Sequence, residues 1–189
     1  MKIKSFFYIA FSILISFNSL AQNKERKFKI HTLAFYNLEN LFDTINDVNK
    51  NDEASPIMEI KFNRGNIYKQ KVTNMARVIS EIGNDVTNRP PTIIGICEVE
   101  NRNVVEDLIA DEKLSKYNYG IVHYDSPDRR GIDVGLLYNK DIFKVINSNS
   151  HVLYINYNNT SDRSYTRDQL VVSGKLDGEL IHLIVNHWP

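Results

Sequence analysis

The order of elements along this chain predicts a mixed α/β (α+β) fold, and three observations carry that reading. Up to about residue 114 apolar residues recur in the sequence strand, helix, strand, helix, and after Tyr117 the chain turns to successive extended runs joined by short polar turns. In addition, three apolar runs each end on a polar group: Leu33-Ala34-Phe35-Tyr36 on Asn37, Ile93-Ile94-Gly95-Ile96-Cys97 on Glu98, and the last run, at Val185, on Asn186 and His187. Polar groups gathered at the C-terminal ends of strands are how open sheets build a reaction site.

The elements follow in order. Phe28, Ile30, Leu33 and Phe35 alternate within 27–37 with a slip near His31, which predicts a strand. The Asn- and Asp-rich stretch from Asn46 to Ser55 reads as a surface loop. Val72, Met75, Ala76, Ile79 and Ile82 stand at helical spacing between Ile67 and Gly83, with Gly83 as the stop, and Lys69, Lys71 and Arg77 form its solvated face. Asn88 to Pro91 is a turn, Thr92 to Cys97 a buried strand, and Val104 to Leu114 a second helix. Tyr119–Tyr124, Ile132–Tyr138, Phe143–Tyr157, Thr166–Leu176 and Glu179–Val185 are all extended, the last two joined through Asp177-Gly178. Cys97, alone and inside an apolar run, is a small buried hydrophobe.

Residues 1–21 stand apart from the fold. Lys2 and Lys4 precede an apolar stretch from Phe6 to Phe17, and Ser19-Leu20-Ala21 supplies small residues before Gln22, the pattern of a secretory signal. The apolar run is shorter than the roughly 20 residues that span a bilayer, which disfavours an anchor and stable membrane insertion. The expected organisation is thus a signal peptide over 1–21, a lead-in over 22–29 and a domain over 30–189, exported to the periplasm or beyond. With 42% apolar and 24% charged residues the 189-residue chain can bury one core, which excludes bulk disorder. Basic and acidic residues both number 23, so no overall positive field draws in nucleic acid, and any polyanion must be held by local charges.

Four segments together, Tyr36-Asn37-Leu38-Glu39-Asn40-Leu41-Phe42-Asp43, Ile96-Cys97-Glu98-Val99-Glu100, Arg130-Gly131-Ile132-Asp133-Val134-Gly135-Leu136-Leu137-Tyr138 and Val185-Asn186-His187-Trp188-Pro189, resemble the endonuclease/exonuclease/phosphatase (DNase I-like) superfamily in order, spacing and strand context. The resemblance implies a four-layer α/β sandwich of two facing sheets flanked by helices, and hydrolysis of phosphoesters with Mg²⁺ or Mn²⁺.

On its own chemistry, Glu98 after a buried strand needs solvent, a partner or a cation, and a hard oxygen ligand suits Mg²⁺ or Mn²⁺; the other reading is a carboxylate capping the helix that starts near Asn101. Glu100 is the weaker candidate, with a structural role. Asn37 can donate to a phosphate oxygen or accept around a metal-bound water, as its family position implies, or end its strand in a turn; Glu39 and Asn40 are cap and turn groups. The resemblance places His187 with the first of the family's two active-site histidines, able to hydrogen-bond a phosphoryl oxygen or protonate a leaving alkoxide. Asp133 either orients His187 or pairs with Arg129 or Arg130, and Arg167 either forks onto a phosphate or joins an acidic neighbour across strands.

In the family an Asp-x-Asn pair and a terminal Asp-His pair come later in the chain, and neither follows His187. The expectation is therefore an N-terminal portion whose parent is a secreted nuclease or phosphatase and which is inactive alone. The substrate would be nucleic acid, a phosphorylated small molecule or a lipid headgroup. The alternative is a secreted, non-catalytic binding or surface-associated module on the same scaffold.

Overall fold

The computed structural model describes residues 28–157 and 160–188, and residues 31–189 form one compact unit. The proposed signal peptide over 1–21 lies outside the described residues. A four-stranded sheet is built from β1 (Leu33–Leu41), β2 (Ile93–Val99), β3 (Tyr119–His123) and β4 (Asp133–Asn139) in the order β1-β2-β4-β3. Only β1 and β2 are parallel; β2–β4 and β4–β3 are antiparallel. The parallel pair requires a crossover, and helix α1 (Arg64–Glu81) provides it.

Two helices cover one face of this sheet. Val72, Ala76 and Ile79, four and three residues apart on α1, join Val104, Val105 and Leu108 of α2 (Arg102–Ala110) against Leu38, Ile94, Ile96 and Leu137. Glycine terminates the first helix as expected: α1 ends at Glu81 and Gly83 lies just beyond, at φ +68, in the left-handed region. Asn101 starts the second, its Oδ1 accepting from the Val104 N–H at 3.1 Å.

The opposite face meets a second, antiparallel sheet of β5 (Phe143–His151), β8 (Gln169–Leu176) and β9 (Glu179–Val185) in the order β5-β8-β9. Ile93, Cys97, Val134 and Leu136 pack there on Phe143, Leu170, Val172 and Val185. Phe143 fits because Gly174, two residues along β8 from its ladder partner Leu176, has no side chain: a Cβ there would run into the ring and stand 2.6 Å from the Lys144 carbonyl oxygen. Burial pushes the Cys97 thiol up to about 11, in keeping with a packed, inert cysteine. A two-residue ladder of β6 (Ile155–Asn156) and β7 (Arg163–Ser164) sits between β5 and β8 in the chain.

The fold is thus mixed α/β, with three layers of helices, sheet and sheet among the described residues; Leu180 and Ile184, on the far face of the second sheet, are exposed. Element boundaries differ from the sequence reading in several places: the first helix starts at Arg64 where Ile67 was expected, and the second spans Arg102–Ala110 where Val104 to Leu114 was expected. β1 starts at Leu33, with no regular structure over 28–32. The long run 143–157 breaks after His151, and the run expected from Thr166 begins at Gln169. The loop 46–55 is not wholly at the surface: Asp52 is 1% exposed, its Oδ2 accepting from the Asp47 N–H at 2.8 Å.

Candidate active site

Two adjacent irregularities create the site. Strict alternation would put Glu98 on the helix-covered face after Ile94 and Ile96, where a carboxylate has no solvent. Instead the β2–β4 register slips between Cys97 and Val99, so that Val99 joins the helix-side core and Glu98, at φ +59, is turned out of it. β1 does the same next door, where its register with β2 slips between Asn37 and Leu41 and Glu39 and Asn40 take φ of +50 and +56.

The groups brought together are those that end the three apolar runs. The Asn37 side-chain amide donates to Glu98 Oε1 at 2.9 Å, the Asn40 N–H donates to Oε2 at 3.0 Å, and His187 Nε2 stands 3.4 Å from Oε1. Asn37 is itself oriented, its Oδ1 accepting from the Glu39 N–H at 2.7 Å. Glu98 does not cap the following helix, since Asn101 does so. Its two oxygens keep acceptor capacity beyond these partners, and an oxygen-donor set of this kind fits a hard divalent cation.

Burial and the nearby Arg167 guanidinium hold the His187 imidazole below its ordinary value, against the opposing pull of Glu98, so the ring is neutral at pH 7. Its Nδ1 is buried with no hydrogen-bond partner among the described residues, as are Asn186 Oδ1 next to it in the chain and the Nε of the nearby Arg167. Lys71 belongs to the site's support and not to a solvated face: half-buried on α1, it donates to the carbonyls of Glu39 and of Asn40, the latter at 2.9 Å, and pins the β1 bulge. Burial lowers its pKa.

Two expected roles are corrected. Asp133 does not orient His187, because both of its oxygens are engaged elsewhere: Oδ2 accepts from His123 Nε2 at 3.1 Å and Oδ1 from the Ser126 N–H at 2.8 Å. Nor does it pair with Arg129 or Arg130. Arg167 is 5% exposed, its Nη1 donating to Asp128 Oδ2 at 3.3 Å and its Nη2 to the Trp188 carbonyl at 3.0 Å, so it is closed off from a phosphate and holds the turn that carries His187. Its acidic neighbour comes from the loop before β4, not from a paired strand. Glu100 is structural as expected, 8% exposed and accepting from the Asp43 N–H at 2.7 Å; burial and then the charges of Asp43, Asp52 and Asp47 push it up to about 7.

Residues 32–189 match the model of the Endonuclease/Exonuclease/phosphatase family. No curated protein matches the chain. Among solved structures, it is similar to an endonuclease/exonuclease/phosphatase of Bacteroides vulgatus (18% identity, TM-score 0.45, covering 80% of this chain and 49% of that one). It is also similar to a mannosyl-6-phosphatase of Bacteroides thetaiotaomicron (15%, TM-score 0.47, 82% and 50%) and to an endonuclease/exonuclease/phosphatase family protein of the same organism (13%, TM-score 0.47, 80% and 48%). The chain spans about half the length of each of these structures. With the family model covering nearly all of the compact unit, and its strand-end residues gathered around one carboxylate, the chain belongs to the endonuclease/exonuclease/phosphatase family.

Proposed function

We propose that this chain contributes the metal-ligand and imidazole side of an exported, divalent-metal-dependent phosphoester hydrolase. The family is one of phosphodiester and phosphate hydrolases. The observation that carries the reading is the meeting of Asn37, Glu98 and His187 from three strand ends. Glu98 would hold Mg²⁺ or Mn²⁺, and the ion would polarise a phosphoryl oxygen and offset the charge developing on it. Asn37 then offers an amide donor to a substrate oxygen beside the ion, and neutral His187 offers a ring nitrogen to hydrogen-bond the phosphoryl group or pass a proton to the leaving alkoxide. Arg167 acts through His187, since its charge disfavours a protonated ring.

Export is supported by the basic and apolar pattern of residues 1–21, and among the described residues no helix is long and apolar enough to cross a membrane. The substrate class is a phosphoester, in nucleic acid, a phosphorylated small molecule or a lipid headgroup. The unpartnered Nδ1 of His187 supports a low activity for these residues alone, because a catalytic imidazole needs its second nitrogen held to present the right tautomer.

The test is a Mn²⁺ titration followed by electron paramagnetic resonance, on the chain and on Glu98→Gln, together with hydrolysis of bis(nitrophenyl) phosphate and plasmid DNA. Loss of one bound equivalent in Glu98→Gln is the expected result. Unchanged Mn²⁺ binding in that variant would refute the metal-ligand role and leave a non-catalytic binding module. Fast turnover by the chain, abolished by Glu98→Gln, would overturn the low-activity reading while keeping the enzyme.

A further inference from the structure

The chain carries no net charge, so a polyanion must meet a local array of cations, and one such array stands on the short ladder between β5 and β8. Ile155 of β6 pairs with Ser164 of β7, and Asn156 with Arg163. Continuing that register by one residue sets Tyr154 opposite Tyr165, and the two-residue period of a strand puts Arg163 on the same face, diagonal to Tyr154. The side chains meet as this register requires. The Arg163 guanidinium lies over the Tyr154 ring at 4.2 Å from its centroid and over the Tyr165 ring at 4.6 Å. Arg129, from the loop before β4, lies over Tyr165 at 5.5 Å.

Burial does not explain this array. Tyr154 is 74% exposed and Tyr165 42%, with Arg129 exposed and Arg163 half-buried against the rings. Among the described residues neither Arg129 nor Arg163 has a carboxylate within ion-pair distance or an acceptor for its side-chain N–H groups. Their neighbours differ, since Arg130 Nε stands 3.6 Å from Asp128 Oδ1 and Arg167 is held by Asp128 Oδ2. A tyrosine ring fixes a guanidinium in place without neutralising it, which leaves its charge and its donors for an anion.

The array also adjoins the candidate active site. Arg129 follows Asp128, whose partner Arg167 lies two residues beyond Tyr165 and donates to the Trp188 carbonyl, next to His187. A ligand lying along the array is therefore close to the turn that carries His187.

Cations interleaved with aromatic faces match one class of polyanion. In a single nucleic-acid strand phosphates alternate with unpaired bases, and every base has a π face that stacks on a tyrosine while the phosphates take arginine. A duplex hides those faces and offers phosphates alone, which a chain without an overall positive field holds weakly. A phosphorylated small molecule would engage one arginine and leave the rest of the array idle. A lipid surface takes up an apolar face, whereas these rings are covered by guanidinium groups.

We propose that Tyr154, Arg163, Tyr165 and Arg129 form a stacking surface for single-stranded nucleic acid beside the candidate active site. Arg163 and Arg129 contact backbone phosphates, and the open face of Tyr154 stacks on a base. As an assignment of the substrate this rests on the phosphoester reading; as a binding surface it does not.

The experiment is fluorescence anisotropy of a short fluorescein-labelled DNA strand with the chain in EDTA, where no metal at Glu98 contributes. The unlabelled duplex and phosphatidylserine vesicles serve as competitors. Tyr154→Ala, at a largely exposed position, should weaken strand binding at least about fivefold, the loss of one stacked base, and Tyr154→Phe should retain it. Arg129→Gln should lessen the slope of log affinity against log salt by about 0.7, the share of one phosphate in a single strand. No saturable binding by the native chain, equal affinity for the duplex, displacement of the strand by vesicles, or unchanged affinity in Tyr154→Ala would overturn the surface. Absence of strand binding beside Mn²⁺ binding that depends on Glu98 overturns this surface and keeps the phosphoester reading. Strand binding that depends on Tyr154, beside Mn²⁺ binding indifferent to Glu98, keeps the surface and overturns that reading.

Discussion

Replacing Asp128 by Asn removes one charge from a pair that is almost fully enclosed. The Asp128 and Arg167 side chains are 4% and 5% exposed, and Arg167 Nη1 lies 3.3 Å from Asp128 Oδ2. At an effective dielectric near 20 two unit charges at that distance attract by about 5 kcal/mol, against roughly 1 kcal/mol in bulk water, and the burial selects the larger figure as the relevant scale. Desolvation offsets much of that attraction in the intact pair, but Asp128→Asn leaves the guanidinium buried and uncompensated, for which a loss of about 3–5 kcal/mol is expected. In a domain of this size that corresponds to a fall in Tm of about 6–20 °C. Urea unfolding of Asp128→Asn, Arg167→Met and the double variant measures it. The loss in the double variant should be smaller than the sum of the two single losses, by at least about 1 kcal/mol, because with both charges gone neither is stranded. Additive losses, or a loss below about 1 kcal/mol in Asp128→Asn, would show that the pair is hydrated and that Arg167 does not depend on Asp128 to hold the His187 turn.

Two further outcomes follow from other contacts. His187 should titrate below the ordinary histidine value of 6.5 in nuclear magnetic resonance spectra, and Arg167→Met should move it upward by removing a charge that opposes protonation. Because the folded value is the lower one, the unfolded chain binds more protons on acidification, so this residue's share of stability is intact above pH 6.5 and is lost as pH falls below it; a His187→Gln variant should show a flatter stability profile there. Phe143→Ala, at a fully buried position in edge contact with Tyr138 at 5.8 Å between ring centroids, should cost about 3–5 kcal/mol in urea unfolding, and a cost under about 1.5 kcal/mol would mean the space over Gly174 refills.

The strand ends were legible in the sequence because they depend on local pattern alone. An apolar run followed by Asn37, Glu98 or His187 marks where a polar group leaves a sheet, and the parallel pairing of β1 with β2 then sets the first two side by side. Partners that depend on register were not legible. His123 pairs with Gly135 across β3 and β4, which lays its ring diagonally over Asp133, and nothing in the residues between His123 and Asp133 announces that pairing. Lys71 was misread for a related reason: helical spacing gives its face, but not that this face lands on the carbonyls of the β1 bulge. Asp52 shows the limit of composition, since a loop rich in Asn and Asp still tucks one carboxylate inside to receive the Asp47 N–H.

The left-handed backbone at Glu98 carries a consequence for how this scaffold can change. A bulky side chain in that conformation is held against its own preference at a cost on the order of 1 kcal/mol, a cost that glycine would escape. Variants recovered in a screen for thermal robustness should therefore accumulate where the sheet edge is most useful, and a chain made sturdier at this corner would surrender its carboxylate in doing so.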